Sequence, residues 1–146
     1  MIKLSQRDPK WSSVKMGESQ ETLGKSGCTT TCISMFSDYF KQFKNPMILA
    51  RSLEYTKEGY LLWNSIGRVF RGFEFKWRFY TFDKAIIAEA LKNPSKTVLL
   101  NVDGGKHWVA AVRSIPLTSK YWVHDPWDGK AKVYGGVVGG AVLIKK

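Results

Sequence analysis

The segment FEFKWRFYT, residues 73–81, marks the point where the hydrophobic period of the chain changes. Aromatic side chains occupy every second position from Phe73 to Phe79, and charged side chains lie between them, which predicts a strand with one buried face. Upstream, apolar residues recur at spacings of three and four, which is the period of a helix. Downstream, short apolar runs are separated by turn residues, which predicts further strands. Helices followed by an antiparallel sheet indicate an α+β fold.

Three helices and a long N-terminal loop are predicted upstream of this strand. Pro9 and several glycines interrupt any period in residues 1–27, whereas Asn45-Pro46 supplies a cap and a first-turn proline. Helices are expected at residues 28–43, 46–58 and 61–71, with a shorter one at 83–91 after the strand. Further strands are expected at residues 97–102, 107–112, 121–123, 131–134 and 141–144, with the hairpin residues Asp103-Gly104-Gly105 between the first two.

The composition bounds the class of protein. The chain has 146 residues without an internal repeat or linker, so one domain over residues 1–146 is expected. A hydrophobic content of 44% excludes an intrinsically disordered chain. The 23 lysines and arginines against 12 aspartates and glutamates give a formal net charge of +11. This charge predicts attraction to nucleic acid, a membrane surface or an anionic cell-wall polymer, unless it only solvates the surface.

The N-terminal residues MIKLSQRDPKW lack the apolar core of a secretion signal. No apolar run is long enough for a transmembrane helix. We therefore expect synthesis in the cytoplasm and no transmembrane segment.

The two cysteines, Cys28 and Cys32, lie one helical turn apart where the loop passes into the first helix. A disulfide at this spacing would distort the helix. Zinc would also need His107 and His124, and structural zinc sites more often use CxxC pairs. Cys32 lies within the apolar stripe, so it is predicted to be a packed core thiol.

Cys28 differs from Cys32 because it opens the predicted helix. Free N–H groups and the positive end of the helix dipole favour a thiolate there, and a thiolate is a nucleophile. Gly27 before it would let a substrate backbone approach closely. A cysteine nucleophile also needs a histidine to take its proton and a third group to orient the imidazole.

Two downstream residues are candidates for these roles. His107 begins an apolar strand after a glycine turn, and Asp125 ends the next strand pattern, so antiparallel pairing could bring them together. His124 alternates to the opposite face from Asp125 and is the weaker candidate base. Taken separately, His107 could be a strand-end residue satisfied locally, and Asp125 could simply form the turn before Pro126.

Four tryptophans flank these positions. Strand alternation places Trp108 on the opposite face from His107, which predicts core packing, and Trp122 is predicted only to pack. Trp11 and Trp127 lie in loops, so they are the candidates for lining a substrate cleft.

Four short motifs follow one another along the chain: QRDPKW at residues 6–11, SGC at 26–28, KHWVAAV at 106–112 and VHDPWDG at 123–129. Their order and spacing resemble those of the papain-like cysteine peptidases of the bacteriocin-processing, double-glycine-leader type. The resemblance covers nearly the whole chain and is greatest to the stand-alone branch found in bacterial and phage cell-wall enzymes. It implies a papain-like fold with N-terminal helices packed on an antiparallel β-sheet.

The resemblance also implies a role for each matched residue. Cys28 would be the nucleophile, His107 the general base and then acid, and Asp125 the group that orients the imidazole. Gln6 would be the side-chain donor of the oxyanion hole, beside the backbone N–H of Cys28. Gln20 is an alternative amide nearer in sequence.

The nucleophile motif departs from the family. The family usually reads GCGPT, whereas this sequence reads GCTTT at residues 27–31. Thr29 and Thr30 therefore replace the Gly-Pro that shapes the first turn. Threonines tolerate a helix N-terminus and can donate hydrogen bonds locally, so the change bears on substrate access and rate. An inactive, degenerate member of the family is the alternative.

The function implied is a cysteine peptidase or amidase that cleaves peptide bonds through a thioester, without a metal or cofactor. For the cell-wall branch the substrate would be peptidoglycan, as for an endolysin encoded by a phage or bacterium. The net positive charge would hold the enzyme against anionic wall polymers. A chain without a signal sequence would act at the bacterial cell wall after its release from the cytoplasm.

Two other functions are considered. One is a peptidase that cleaves proteins or leader peptides after small residues, and GGVVGG at residues 135–140 could be its own target, although a glycine-rich turn explains that segment better. The other is a non-catalytic, basic nucleic-acid-binding domain, suggested by RVFRGFEFKWRFY at residues 68–80. One buried and one solvated face explain that alternation fully, so nucleic acid is not the expected partner.

Overall fold

The protein is described by a computed structural model that covers residues 1–146. Helices cover a six-stranded antiparallel sheet, which confirms the predicted α+β class. The helices are α1 (Leu23–Ser26), α2 (Cys28–Tyr39), α3 (Pro46–Ser52), α4 (Ile66–Val69) and α5 (Lys84–Lys92). The strands are β1 (Phe73–Phe79), β2 (Lys96–Val102), β3 (His107–Ser114), β4 (Tyr121–Asp125), β5 (Lys130–Tyr134) and β6 (Gly139–Lys145).

The strands form one sheet in the order β1-β6-β2-β3-β4-β5, and all neighbouring strands are antiparallel. The C-terminal strand β6 therefore lies between β1 and β2, while β2 to β5 follow the order of the chain. Because β3 and β4 are antiparallel neighbours, the start of β3 and the end of β4 lie at the same edge of the sheet. His107 and Asp125 are the residues at these two strand ends.

The central strand β2 is buried on both faces. On one face, Leu99 packs in a cluster with α2 residues such as Phe36. On the other, Val98 and Leu100 pack with Ile87 of α5. Fully burying one such side chain contributes roughly 1.5–3 kcal/mol, so both helical layers help to hold the sheet.

A β-bulge in β1 changes the face to which its side chains point. Phe75 and Trp77 pair with adjacent residues of β6, so Lys76 between them has no partner. Phe73 packs on the α2 side, whereas Phe79 packs on the α5 side and Trp77 is 49% exposed. The predicted strand is present, but the prediction of one shared aromatic face is wrong beyond Phe75, because one inserted residue reverses the alternation.

The helices are shorter than the periodicity predicts. α2 begins at Cys28 as predicted but ends at Tyr39, shortly before Lys41 adopts a positive φ of 60°. The longest helix, α2, has 12 residues, and no helix of the structure is long and apolar enough to span a membrane.

The segments around α2 also differ from the prediction. Asn45 caps α3 as predicted, since its side chain accepts a hydrogen bond from the N–H of Ile48, but α3 already ends at Ser52. Residues 61–71 form only a 3-10 turn followed by α4, and the predicted N-terminal loop contains α1. The hairpin residues Asp103–Gly105 form a 3-10 turn.

Candidate functional site

The first turn of α2 opens onto a groove of about 570 Å³. Cys28, the first residue of α2, lines this groove and is only partly buried. Gly27 precedes the helix, and its carbonyl oxygen accepts from the N–H of Thr31 at 2.9 Å. The N–H groups before Thr31 have no acceptor inside the helix, because the first turn lacks preceding carbonyls. Cys28 is therefore an accessible thiol at the positive end of a helix.

His107 and Asp125 meet at the edge of the sheet beside this groove. His107 Nε2 lies 2.7 Å from Asp125 Oδ1, which joins β3 to β4. His107 lines the same groove as Cys28, and its Nδ1 is the ring nitrogen that the bond to Asp125 leaves free. Asp125 is only 1% exposed. The structure therefore places a thiol, an imidazole and a buried carboxylate in one row.

The surroundings of His107 and Asp125 favour the charged form of each side chain. Burial alone would lower the pKa of His107, but hydrogen bonds with Asp125 and Cys28 outweigh it and raise the pKa to about 9. Burial also opposes ionisation of Asp125, but hydrogen bonds from His107 and Lys132 hold the pKa of its carboxyl well below its usual range. At neutral pH Asp125 is ionised, and His107 can hold a proton.

Gln6 lies in the same groove, on the N-terminal segment. Its backbone N–H donates to the carbonyl of Pro126 at 2.7 Å, which docks the segment on the turn after β4. The side chain is 2% exposed, and Nε2 donates to the carbonyl of Gly24 at 3.3 Å, while Oε1 has no hydrogen-bond partner. An amide nitrogen carries two N–H groups, so one of them stays available to a ligand.

The other candidate amide, Gln20, lies elsewhere. It is exposed, accepts a hydrogen bond from Lys15 Nζ at 2.9 Å and does not line the groove. Of the two glutamines, the structure brings only Gln6 to the groove that holds Cys28.

The two loop tryptophans have different surroundings. Trp127 lines the groove, is 44% exposed and carries the guanidinium of Arg7 at 4.1 Å above its ring. Trp11 is 7% exposed, and its indole N–H donates to the carbonyl of Ser5 at 2.8 Å. The structure places Trp11 in a small core and not in the groove wall, because the N-terminal segment folds back on itself.

The two strand tryptophans also differ. Trp108 packs against the α2-side core, with its ring 5.3 Å from that of Trp63, and it also lines the groove. Trp122 is 36% exposed beneath the guanidinium of Arg113. Trp108 therefore packs in the core as predicted but also contributes to the groove, whereas Trp122 lies largely at the surface.

Gly27 is buried and does not line the groove. A Cβ atom added there would lie 2.5 Å from the carbonyl oxygen of Leu23 and 2.7 Å from its Cα. The position needs glycine because α1 ends directly against the start of α2. The structure thus gives Gly27 a packing role and does not place it where a substrate backbone would approach.

We expect Gly27→Ala to lower the free energy of unfolding by about 1–3 kcal/mol, because the backbone of Leu23 must move to admit the methyl group. Urea unfolding followed by circular dichroism measures this change. Gly67→Ala is the matched control, since Gly67 lies in α4 and its nearest neighbours are side-chain atoms. A Gly27→Ala protein as stable as the wild type would contradict the packing role.

Cys32 is fully buried in the α2-side core, which confirms the prediction of a packed thiol. Its sulfur lies 3.7 Å from the carbonyl oxygen of Trp108. Burial, and to a smaller extent the charges of Cys28 and Asp125, raise the pKa of Cys32 well above its usual value. The two cysteines therefore differ in both access and reactivity.

The two threonines that follow Cys28, at the positions where the resemblance expects Gly-Pro, have separate contacts. Thr29 lines the groove, and its Oγ1 lies 3.9 Å from the sulfur of Cys28. Thr30 is fully buried, and its hydroxyl lies 2.7 Å from that of Tyr55. Thr30 thus links α2 to Tyr55, which also lines the groove, and Thr29 lies beside the thiol of Cys28 within the groove.

Several residues at the site were not singled out from the sequence. Part of the groove lining comes from Tyr55 and residues 58–61, where one predicted helix ends at residue 58 and the next begins at residue 61. Lys132 and Tyr134 of β5 contact the carboxylate of Asp125. The alternation of Lys132 and Tyr134 along a strand next to β4 was the signal that could have revealed them.

The alternative zinc site is not assembled. No group of three or more histidine, cysteine, aspartate or glutamate side chains is placed to hold a metal ion. His124 is 8% exposed beside the backbone of Ile2, and burial lowers its pKa.

The site has to be interpreted from its own geometry. No protein-family model matches the chain, and no curated protein sequence matches it significantly. The chemistry of the row formed by Cys28, His107 and Asp125 is therefore the basis for a functional assignment.

Proposed function

We propose that the protein is a cysteine peptidase or amidase of papain-like fold that hydrolyses peptide bonds in peptidoglycan. The observation that carries the proposal is the row from Cys28 through His107 to Asp125 at the wall of the groove. A thiol at a helix start, an imidazole in the same groove and a buried carboxylate 2.7 Å from that imidazole are the three groups that nucleophilic acyl transfer requires.

The first half of the reaction forms a thioester. His107 takes the proton of the Cys28 thiol, and the sulfur attacks the carbonyl carbon of the substrate. The negative charge that develops on the carbonyl oxygen is stabilised by the free N–H of Gln6 Nε2 and by the backbone N–H of Cys28. As the C–N bond breaks, His107 donates its proton to the leaving amine, and the acyl group stays on Cys28.

The second half restores the enzyme. His107 takes a proton from a water molecule, and the hydroxide attacks the thioester. The C–S bond breaks, the carboxylic acid leaves, and Cys28 recovers its proton from His107. Asp125 keeps one imidazole nitrogen occupied throughout, so the other nitrogen stays directed at Cys28.

The distribution of charge supports a wall polymer as the surface on which the enzyme acts. The groove wall contains two lysines and two glutamates, Lys25, Lys106, Glu21 and Glu58. The excess of basic residues that gives +11 therefore lies outside the groove. It is available to attract an anionic polymer while the groove accepts a peptide of mixed charge.

The test is digestion of purified Gram-positive walls that retain their anionic polymers. We expect soluble peptides with new amino termini, detected by mass and by amine labelling. Protein alkylated at Cys28 with iodoacetamide should release none. The rate should fall in high salt and on walls stripped of the anionic polymers, since both weaken the attraction to the basic surface.

Two other results would contradict this substrate. Intact walls together with cleavage of a soluble peptide after a glycine pair would favour the leader-peptide alternative. Release of the chain's own C-terminal segment is not expected, because Gly139 and Gly140 are buried in β6 and paired with β2.

Mass mapping of the alkylated protein should show fast labelling of Cys28 and slow labelling of Cys32, and equal rates would remove Cys28 as the nucleophile.

A further inference from the structure

The carboxylate of Asp125 is saturated with hydrogen-bond donors on both oxygens. Oδ1 accepts from His107 Nε2 at 2.7 Å and from the N–H of Trp127 at 2.9 Å. Oδ2 accepts from Lys132 Nζ at 2.8 Å and from the hydroxyl of Tyr134 at 3.3 Å. One oxygen therefore faces the imidazole, and the other faces a permanent cation from β5.

Lys132 is held in place from two sides. Its Nζ also lies 2.9 Å from Asp128 Oδ2, and its side chain is 33% exposed. The hydrogen bond to Asp125 is the main cause that raises the pKa of Lys132, so the ammonium stays charged wherever the protein is folded. A buried carboxylate needs such a partner, because burying an unpaired charge is very costly.

We infer that Lys132 is a positioning residue for the proposed reaction: its ammonium fixes the rotation of the Asp125 carboxylate and offsets part of its charge at His107. The inference rests on the proposed function, since it concerns the acid–base residue of that reaction. With Oδ2 anchored to Lys132, Oδ1 is directed at His107 Nε2. With the carboxylate partly neutralised, the imidazolium is less stabilised and gives up its proton more readily to the leaving amine.

Other titratable groups lie around the row. They are Cys28 on α2, Lys106 beside His107, Asp103 on the turn before β3, Tyr134 on β5 and Asp128 on the turn before β5. Lys106 is the only lysine among them and has no ion pair with Asp125, whereas Lys132 bonds directly to the carboxylate that touches His107. Removing Lys132 should therefore have a larger effect than removing a lysine that only shares the surface.

The test is an NMR titration of His107 in the full chain with Lys132→Met. The chain has two histidines, so the two ring signals can be assigned by comparison with a His124→Gln protein. We expect the pKa of His107 to rise by about one unit in Lys132→Met, because a neighbouring positive charge has been removed. The rate of wall digestion should fall about ten- to a hundredfold, because the imidazole loses its fixed orientation.

Three further variants separate this role from general charge loss. Lys130→Met removes the same charge from the exposed residue that pairs with Asp125 in the register of β4 and β5, and it should shift the pKa of His107 by less than half as much, because Lys130 makes no ion pair with the carboxylate. Lys132→Arg should restore both the titration and the rate. Lys132→Gln keeps a donor without the charge, and it serves as the second charge-removal variant where Lys132→Met does not fold.

The results distinguish this inference from the proposed function. A titration of His107 that is unchanged in folded Lys132→Met and Lys132→Gln overturns the role of Lys132. So does a shift of equal size in Lys130→Met. A rise of the His107 pKa in Lys132→Met, together with walls that the wild-type protein leaves intact, contradicts only the proposed substrate, because the titration does not depend on it.

Discussion

Replacing Cys28 by alanine should lower the rate of peptide hydrolysis at least about ten-thousand-fold, because the thioester can no longer form. The fold should remain, since the Cys28 side chain is only partly buried and its sulfur makes one contact with a side-chain oxygen, that of Thr29. His107 keeps its bond to Asp125 in this variant. Release of wall peptides and the thermal unfolding midpoint are the two measurements.

Cys32→Ala is the matched control for this prediction. Cys32 lies one turn further along the same helix and is fully buried, so losing its sulfur should cost about 1 kcal/mol of stability through a small cavity. Its activity should stay within about threefold of the wild type, since the buried thiol touches neither the groove nor the imidazole. Equal activity in Cys28→Ala and wild type would exclude the proposed mechanism. A loss of activity confined to Cys32→Ala would identify Cys32, and not Cys28, as the nucleophile.

The fold class could be predicted because the spacing of apolar residues changes at Phe73 from that of a helix to that of a strand. In each element this spacing is set by which side chains face the core. The two spacings differ enough for the order of helices and strands along the chain to be predicted without any knowledge of contacts. The bulge at Lys76 could not be predicted from that pattern, because it depends on how β1 pairs with β6. The helix that was predicted to run to residue 58 ends at Ser52, and Leu53 and Tyr55 pack against the α2-side core from a loop, which their spacing in the sequence does not show.

The candidate site was predictable to the extent that each residue lies at the end of an element. Cys28 starts a helix, and His107 and Asp125 lie at the ends of neighbouring strands, so the topology alone brings the last two together. Lys132 was missed because its importance comes from an ion pair across two strands, and the sequence does not give the register. Trp11 was misplaced because a loop position does not reveal which way the loop folds.

The second large effect is expected for Asp125→Asn. This change removes the charge and one acceptor site while keeping the volume, so His107 loses its fixed orientation and the pKa of its imidazolium should fall. We expect hydrolysis to slow about ten-thousandfold, the size of loss expected when the orienting carboxylate of a triad is neutralised. The free energy of unfolding at pH 7 should drop by about 3 kcal/mol, because breaking a buried ion pair leaves Lys132 and His107 without their shared partner.

The pH dependence of that loss identifies its cause. The pKa of Asp125 is held below its usual range in the folded state, so the wild-type protein gains stability from this carboxylate above about pH 4, the value for an unfolded chain. This gain disappears as the pH falls through the lower folded value. The stability difference between wild type and Asp125→Asn should therefore be full at pH 7 and shrink steadily below pH 4.

Asp103→Asn provides the matched control, because Asp103 is exposed on the turn before β3 and asparagine tolerates its positive φ of 53°. It should change neither the stability by more than about 0.5 kcal/mol nor its dependence on pH. An Asp125→Asn protein with wild-type hydrolysis would show that the carboxylate has only a structural role. A stability loss that does not shrink at all below pH 4 would attribute the effect to packing, because the contribution of the charge falls steadily as the pH drops from the unfolded toward the folded pKa.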